Sequence, residues 1–293
     1  MLQFPSHVDR NKRRVQQMMF WMARVISYGI LLVLVLILFF ILKRGIGVIN
    51  WEFLTGMPKN GMTEGGILPA ILGTLYLVAG SMLAAFPIGV LAGIYVNEYA
   101  REGKLKRFIK MMTNNLAGVP SIVFGLFGMA LFVNQLNFGA SILAGSLTLA
   151  LLALPLIIRT TEESLKSVDQ TFRQASYALG ASKLYTIRKV VLPIAFPNII
   201  TGLILGIGRV SGETAPILFT VAAFFLPKLP ESFFDQCMAL PYHLYVISTS
   251  GTDLEASRPM AYGTAVILIL IVLIANLMAN FLRNYFGKKV KMK

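Results

Sequence analysis

Two pairs of ionisable residues stand in a chain that is otherwise short of charge. Arg209 and Glu213 are four apart within a long apolar run, and Arg159 and Glu162 are three apart at the end of another, with Glu163 alongside. Residues at these spacings share a face of a helix. A charge at mid-bilayer costs on the order of 3 kcal/mol or more, so such residues turn to one another or to a polar cavity. Two chemistries follow. Either pair can be a structural ion pair that holds helices together. Alternatively the arginines form an electropositive lining for an anion, since a guanidinium donates two parallel hydrogen bonds to an oxyanion. Other chemistries lack their residues. The only Gly-Lys pairs, Gly103-Lys104 and Gly287-Lys288, are not followed by Ser or Thr, so no nucleotide-binding loop is expected. His7, His243 and Cys237 supply neither a metal cluster nor an internal disulfide. No G-x-S-x-G or H-E-x-x-H pattern occurs. The expectation is no catalytic residue, no metal and no cofactor in this chain.

The elements that must position these charges are membrane spans. The chain has 293 residues, is 56% hydrophobic and is charged at 14% of positions, against roughly 25% in soluble domains. Several uncharged runs approach or exceed the ~20 residues that cross a bilayer. The reading is an all-α integral membrane protein with six spans. Val25–Leu42 is the first and Gly65–Asn97 the second. The uncharged stretch Met111–Ile158 holds the third and fourth, divided by a turn at Asn134–Gly139. Val190–Pro227 is the fifth, and Pro259–Leu282 the sixth. Arg209 then lies roughly 18 Å from Pro197 along the fifth span, deep in the bilayer. The first apolar run lacks a small-residue cleavage site and reads as a span rather than a signal peptide. Gly89/Gly93, Gly202/Gly206 and Gly208/Gly212 are small-x-x-x-small pairs suited to close helix packing.

The net charge of +14 is an orientation signal rather than a nucleic-acid footprint. Twenty-one of the 27 lysines and arginines fall in segments on one side of the six-span layout, and five fall on the other. The positive-inside rule places both termini and the 101–110 and 159–189 loops in the cytoplasm, with Lys43 and Arg44 breaking the pattern. The expected divisions are a cytoplasmic segment 1–24, a six-span domain 25–285 and a basic tail 286–293. Basic residues split among juxtamembrane segments argue against nucleic acid.

One polar stretch interrupts the oil, "QASYALGASKLYTIRKVVLP", Gln174 to Pro193. Asp169 caps a helix from Gln170, with Phe172, Ala175, Ser176 and Leu179 at helical spacing. Gly180 suits the left-handed position that ends it. Ser182 caps a second helix striped by Leu184, Ile187 and Val191, and Pro193 starts the next segment. This is a helix–glycine–helix hairpin outside the membrane. It is either a solvated connector on the headgroups or a docking element whose apolar residues need a cover.

The hairpin resembles the "EAA" loop of the permease subunits of ABC importers. Gln174, Ala175, Ser176, Gly180, Leu192 and Pro193 fall at the matching positions, with Gln174 and Ser176 departing from Glu and Ala. "GGILPAILGTLYLV", "VPSIVFGLFG" and "GRVSGETAPIL" are similar to segments of A-type permeases of phosphate-specific ABC importers, and together they run along most of the chain. The resemblance implies a type I ABC importer permease fold with a cytoplasmic coupling hairpin at about 160–193. It implies import of inorganic phosphate by alternating access, in a bacterial plasma (inner) membrane. Implied partners are a homologous second permease, a dimer of ATP-binding subunits carrying ATP and Mg, an external phosphate-binding protein and membrane lipid. It assigns Arg159, Glu162 and Arg209 to charged positions implicated in transport, with Glu213 beside Arg209. Alternatives are import of another oxyanion such as molybdate or sulfate, a membrane enzyme acting on lipid phosphates, and a structural or signalling membrane protein.

Overall fold

A computed structural model describes residues 6–250 and 253–291, with side chains over 12–250 and 253–287. The side chains of the expected tail beyond residue 287, and of the first eleven residues, lie outside the described residues. Among the described residues the regular elements are helices apart from a two-residue strand pair, Pro58–Lys59 with Glu64–Gly65, and one isolated bridge.

Five helical stretches are long and apolar enough to cross a membrane: Lys12–Val48, Leu68–Tyr99, Ile142–Lys166, Lys183–Ser211 and Leu254–Gly287. A sixth span is present only as a bent pair, Lys104–Ala117 and Ser121–Gln135, which meet at 102°. The third span expected at the start of the uncharged run is this bent pair. Gly118-Val119-Pro120 breaks it, because proline has no N–H to continue a helix and pushes its predecessor out of helical geometry. We number the helices α1 (Ser6–Gly45), α2 (Trp51–Thr55), α3 (Leu68–Ile94), α4 (Lys104–Ala117), α5 (Ser121–Gly128), α6 (Ile142–Lys166), α7 (Gln170–Ala178), α8 (Lys183–Thr186), α9 (Leu192–Ser211), α10 (Ala215–Thr220), α11 (Leu240–Thr249) and α12 (Leu254–Lys291). α4 is amphipathic, with four basic residues among exposed Leu105, Phe108, Met111 and Leu116. That pattern suits a helix lying in the headgroup plane.

The core is α3, α6, α9 and α12. Side chains on α6 fill the space that glycines leave on α3: a Cβ on Gly89 would meet Ile157 at 2.7 Å, and one on Gly93 would meet Thr161 at 2.7 Å. Gly202 faces Thr160 across α6–α9, and Gly206 faces Met82 and Ile157. The expected close packing holds at these pairs. It does not hold at Gly208/Gly212, where Gly212 faces open space and Gly208 reaches only Asn276 at 3.7 Å.

α1 is exposed along its apolar length as far as Ile37 and packs on α12 only near its C-terminal end, where the Arg44 guanidinium lies 4.3 Å from the Phe40 ring and 5.5 Å from Tyr262. Stacking on two rings gives this cation a local anchor.

At the end of the bundle opposite the hairpin, Ser141 caps α6 and its N–H donates to the Thr220 carbonyl. Ala222 bridges to Cys237, which is buried. Burial pushes the Cys237 thiol up to about 12. The long loop after the fifth span, which carries this cysteine, folds back over the helix ends.

Candidate functional site

Local signals build the hairpin. The Asp169 side chain accepts from the Thr171 N–H at 2.8 Å, opening α7. That bond from the backbone N–H holds its carboxyl below the ordinary range. At the other end Gly180 has φ +78°. Its N–H donates to Tyr177 O and that of Ala181 to Ser176 O, the paired bonds of a glycine-terminated helix. Ser182 accepts from the Tyr185 N–H at 3.3 Å and opens α8. The Ser176 and Thr186 hydroxyls meet at 2.8 Å and join the two limbs.

Gln174 and Ala175 are exposed, and Leu179 and Leu184 project from the tip at 88% and 66% exposure. Ile187 and Val191 of the expected stripe are buried instead. The expected break at Pro193 does not occur. A π-helical turn, Ile187–Val191, runs straight into α9, so hairpin and fifth span form one helix, Lys183–Ser211. Proline clashes with the carbonyl four residues back and leaves it unbonded; a π turn with i→i+5 bonding absorbs that mismatch.

Arg173 is the residue that sequence reasoning missed. It is 6% exposed. Its guanidinium donates to the Val168 and Leu165 carbonyls at 2.9 Å each and to Glu98 Oε1 at 2.7 Å. One side chain thus closes the C-terminal end of α6, grips the end of the second span and orients α7. Asn97 donates to the same Glu98 oxygen at 2.8 Å, and Lys183 Nζ lies 5.0 Å from the Tyr99 ring. A signal was present: Arg173 lies i,i+3 from Ser176 on the inward face, and Glu98 is an acid at a span's end.

The two charged pairs are arranged differently from the expectation. Arg159 pairs with Glu163 at 3.3 Å, not with Glu162. Glu162 turns towards α4 and is held by Lys110 at 2.8 Å and Lys166 at 2.6 Å. With Thr113 and Asn114 these five charged residues line a polar pocket of about 200 Å3. Arg209 stays beside Glu213, but at 3.8 Å, with 40% and 17% of the side chains exposed. That is an ion pair without a hydrogen bond. The two do not share a helix face as expected: α9 ends at Ser211 and Gly212 caps it, so Glu213 lies past the helix. Arg209 in the last turn complements the helix dipole. Because α6 and α9 are antiparallel and Gly202 meets Thr160, Arg209 comes level with the middle of α6. Arg159 is roughly 9 Å nearer the hairpin.

A bundle of spans with a capped, apolar-tipped hairpin beyond their ends is the architecture of an importer permease subunit. Solved structures share the fold. The chain superposes on a subunit of the bacterial alginate ABC transporter, solved with its alginate-bound periplasmic protein, with a TM-score of 0.66 at 12% identity, covering 95% of this chain and 98% of that one. Against the MetNI methionine ABC transporter in an inward-facing conformation the TM-score is 0.59 at 16% identity, over 75% and 97%. Residues 85–292 match the family described as "Binding-protein-dependent transport system inner membrane component". The chain belongs to that family, and it is an integral protein of the inner membrane. Its relatives include the phosphate transport system permease protein PstA of Mycobacterium leprae, 37% identical over 92% of this chain and 87% of that one. PstA of Haemophilus influenzae is 34% identical over 86% and 87%. A probable ABC transporter permease of Bacillus subtilis, YqgI, is 34% identical over 86% and 89%.

Proposed function

We propose that the chain forms half of the membrane pathway of an ATP-driven importer of inorganic phosphate. The relatives named PstA support the substrate. The observation within the molecule that carries it is Arg209: a permanent cation in a spanning helix, level with mid-membrane, half exposed and only loosely held by its glutamate. Phosphate near neutral pH carries between one and two negative charges, and a planar guanidinium matches two of its oxygens. Partial balance by Glu213 favours release as well as entry, which transport requires. Arg159, with the Lys110–Glu162–Lys166 cluster, is a second basic station nearer the hairpin.

Nothing in this chain hydrolyses ATP in our reading. ATP and Mg bind a dimer of partner ATPase subunits, and the hairpin around Gln174, Ala175, Ser176 and Gly180 docks there. Leu192 and Pro193 carry its motion into span five. A homologous second permease completes the pathway, and an external phosphate-binding protein delivers the anion. Both termini lie in the cytoplasm.

The complex, purified in mild detergent, should bring these chains with it. Phosphate-loaded binding protein should stimulate its ATP hydrolysis. Stimulation by molybdate- or sulfate-loaded binding protein, with none by phosphate, would reassign the substrate.

A further inference from the structure

One groove is lined by neither Arg209 nor any residue of the Lys110–Glu162–Lys166 pocket. It opens where spans two, five and six meet the hairpin, and its volume is about 800 Å3, within the range of small-molecule sites. Val90 and Ile94 of α3, Ile194, Phe196 and Ile199 of α9 and Phe286 of α12 wall it. Phe196 and Phe286 meet edge to face with centroids 5.1 Å apart. Arg188 and Lys189 line one end, both exposed, and no carboxylate is among the described lining residues.

The order along the helix matters. Arg188 and Lys189 sit on the hairpin side. From Leu192 to Ile199 the helix climbs roughly 10 Å towards the middle of the bundle. Cationic donors at the membrane boundary, continuous with a hydrocarbon wall running inward, are complementary to the two parts of one molecule. We infer that the groove holds an anionic phospholipid from the leaflet at the hairpin end. Its phosphodiester sits on Arg188 and Lys189, and one acyl chain lies along α9. Basic pockets between spans recognise lipid headgroups in this way. Inorganic phosphate would satisfy the two cations and leave the apolar wall uncovered. A soluble ATPase domain would reach the rim but not Val90 or Ile199, which belong to spans.

Phe172 of the docking helix also lines the groove. A lipid there touches the hairpin and spans two and five together, so headgroup charge is set to tune coupling. The inference requires the family assignment but not phosphate as substrate. A complex that moves another anion and still retains the lipid leaves it standing.

The test uses the whole transporter, reconstituted in vesicles of phosphatidylglycerol with phosphatidylcholine, re-extracted and assayed by mass spectrometry for lipid retained. The parent should keep phosphatidylglycerol in preference to phosphatidylcholine. The double substitution Arg188→Gln, Lys189→Gln should weaken retention about fivefold per charge removed, roughly twenty-five-fold in all. Ile194→Trp, which fills the groove and keeps both charges, should also abolish it. A photo-crosslinking residue in place of Phe196 should capture lipid in the otherwise unaltered complex, whether or not the other variants fold. Equal retention by parent and double variant overturns the inference, as does crosslinking to an ATPase chain or displacement of the lipid by inorganic phosphate.

Discussion

Two arginine–glutamate pairs frame the molecule. Arg173 and Glu98 meet at 2.7 Å with side chains 8% and 7% exposed, and the guanidinium's remaining contacts are backbone carbonyls at the end of α6. Arg209 and Glu213 stand 3.8 Å apart, with the arginine 40% exposed and the helix already ended between them. The same two residue types thus do opposite jobs. A closed pair is buried out of a ligand's reach and fixes three elements in one geometry. An open pair keeps donors free and can exchange its carboxylate for a visiting oxyanion. Sequence spacing pointed to the second pair because it is local. Burial is what distinguishes them.

The largest effect is expected from opening the closed pair. Arg173→Leu strands Glu98 without its cation, a loss of about 3–5 kcal/mol for a buried pair. Yield of intact complex and its melting temperature should fall sharply, and adding Glu98→Gln should recover part of the loss. If Arg173→Leu assembles normally, the two pairs are not different in kind. Arg209→Gln should do the reverse. The pair is already open at 3.8 Å, so the complex should assemble with little change in melting while phosphate uptake drops at least about tenfold. That drop corresponds to ~1.4 kcal/mol of lost transition-state stabilisation. Arg209→Lys should keep some uptake. If Arg209→Gln with Glu213→Gln restores uptake, the pair is a packing device and the contrast collapses.

Smaller effects sharpen the boundary of the closed region. Gly180→Val puts a β-branched residue at φ +78°, costing about 1–2 kcal/mol. It should leave the protein inserted but separate ATP hydrolysis from uptake. The cap carboxyl of Asp169 is held low, so its contribution is complete at neutral pH. Protection of the Thr171 amide from hydrogen exchange should stay level until pH falls below about 4 and decline beneath it. Smallest is a labelling contrast. Buried Cys237 should resist an impermeant maleimide, whereas Ser232→Cys and Ser250→Cys, both exposed, should react from outside the cell. Labelling of those two only after lysis would reverse the orientation proposed for the chain.

What could be read from the sequence was what local physics decides. Caps at Asp169 and Ser182 and the left-handed glycine between them are written within fifteen residues, and all three stand as expected. The general count of spans followed from apolar length. The break in the third span was spelled out by Gly118 and Pro120, yet the uncharged run around them carried more weight. Pro193 misled in the opposite direction, because proline reads as a boundary when the alternative, a π turn, has no composition of its own. Partners such as Glu98 for Arg173, 75 residues away, and Lys110 for Glu162 depend on how helices cross, which no spacing rule records.

The π turn at Ile187–Val191 has a further consequence. Such a turn acts as one residue inserted into a regular helix, and successive residues of a helix advance by about 100°. The azimuth at which Leu184 and the hairpin tip face away from span five is therefore fixed by a single residue. Deleting Val190 together with Pro193→Ala would restore a plain α-helix of nearly the same length. It would also turn the docking surface by roughly a quarter of a revolution about the span's axis, like a key cut correctly and set in its bow at the wrong angle.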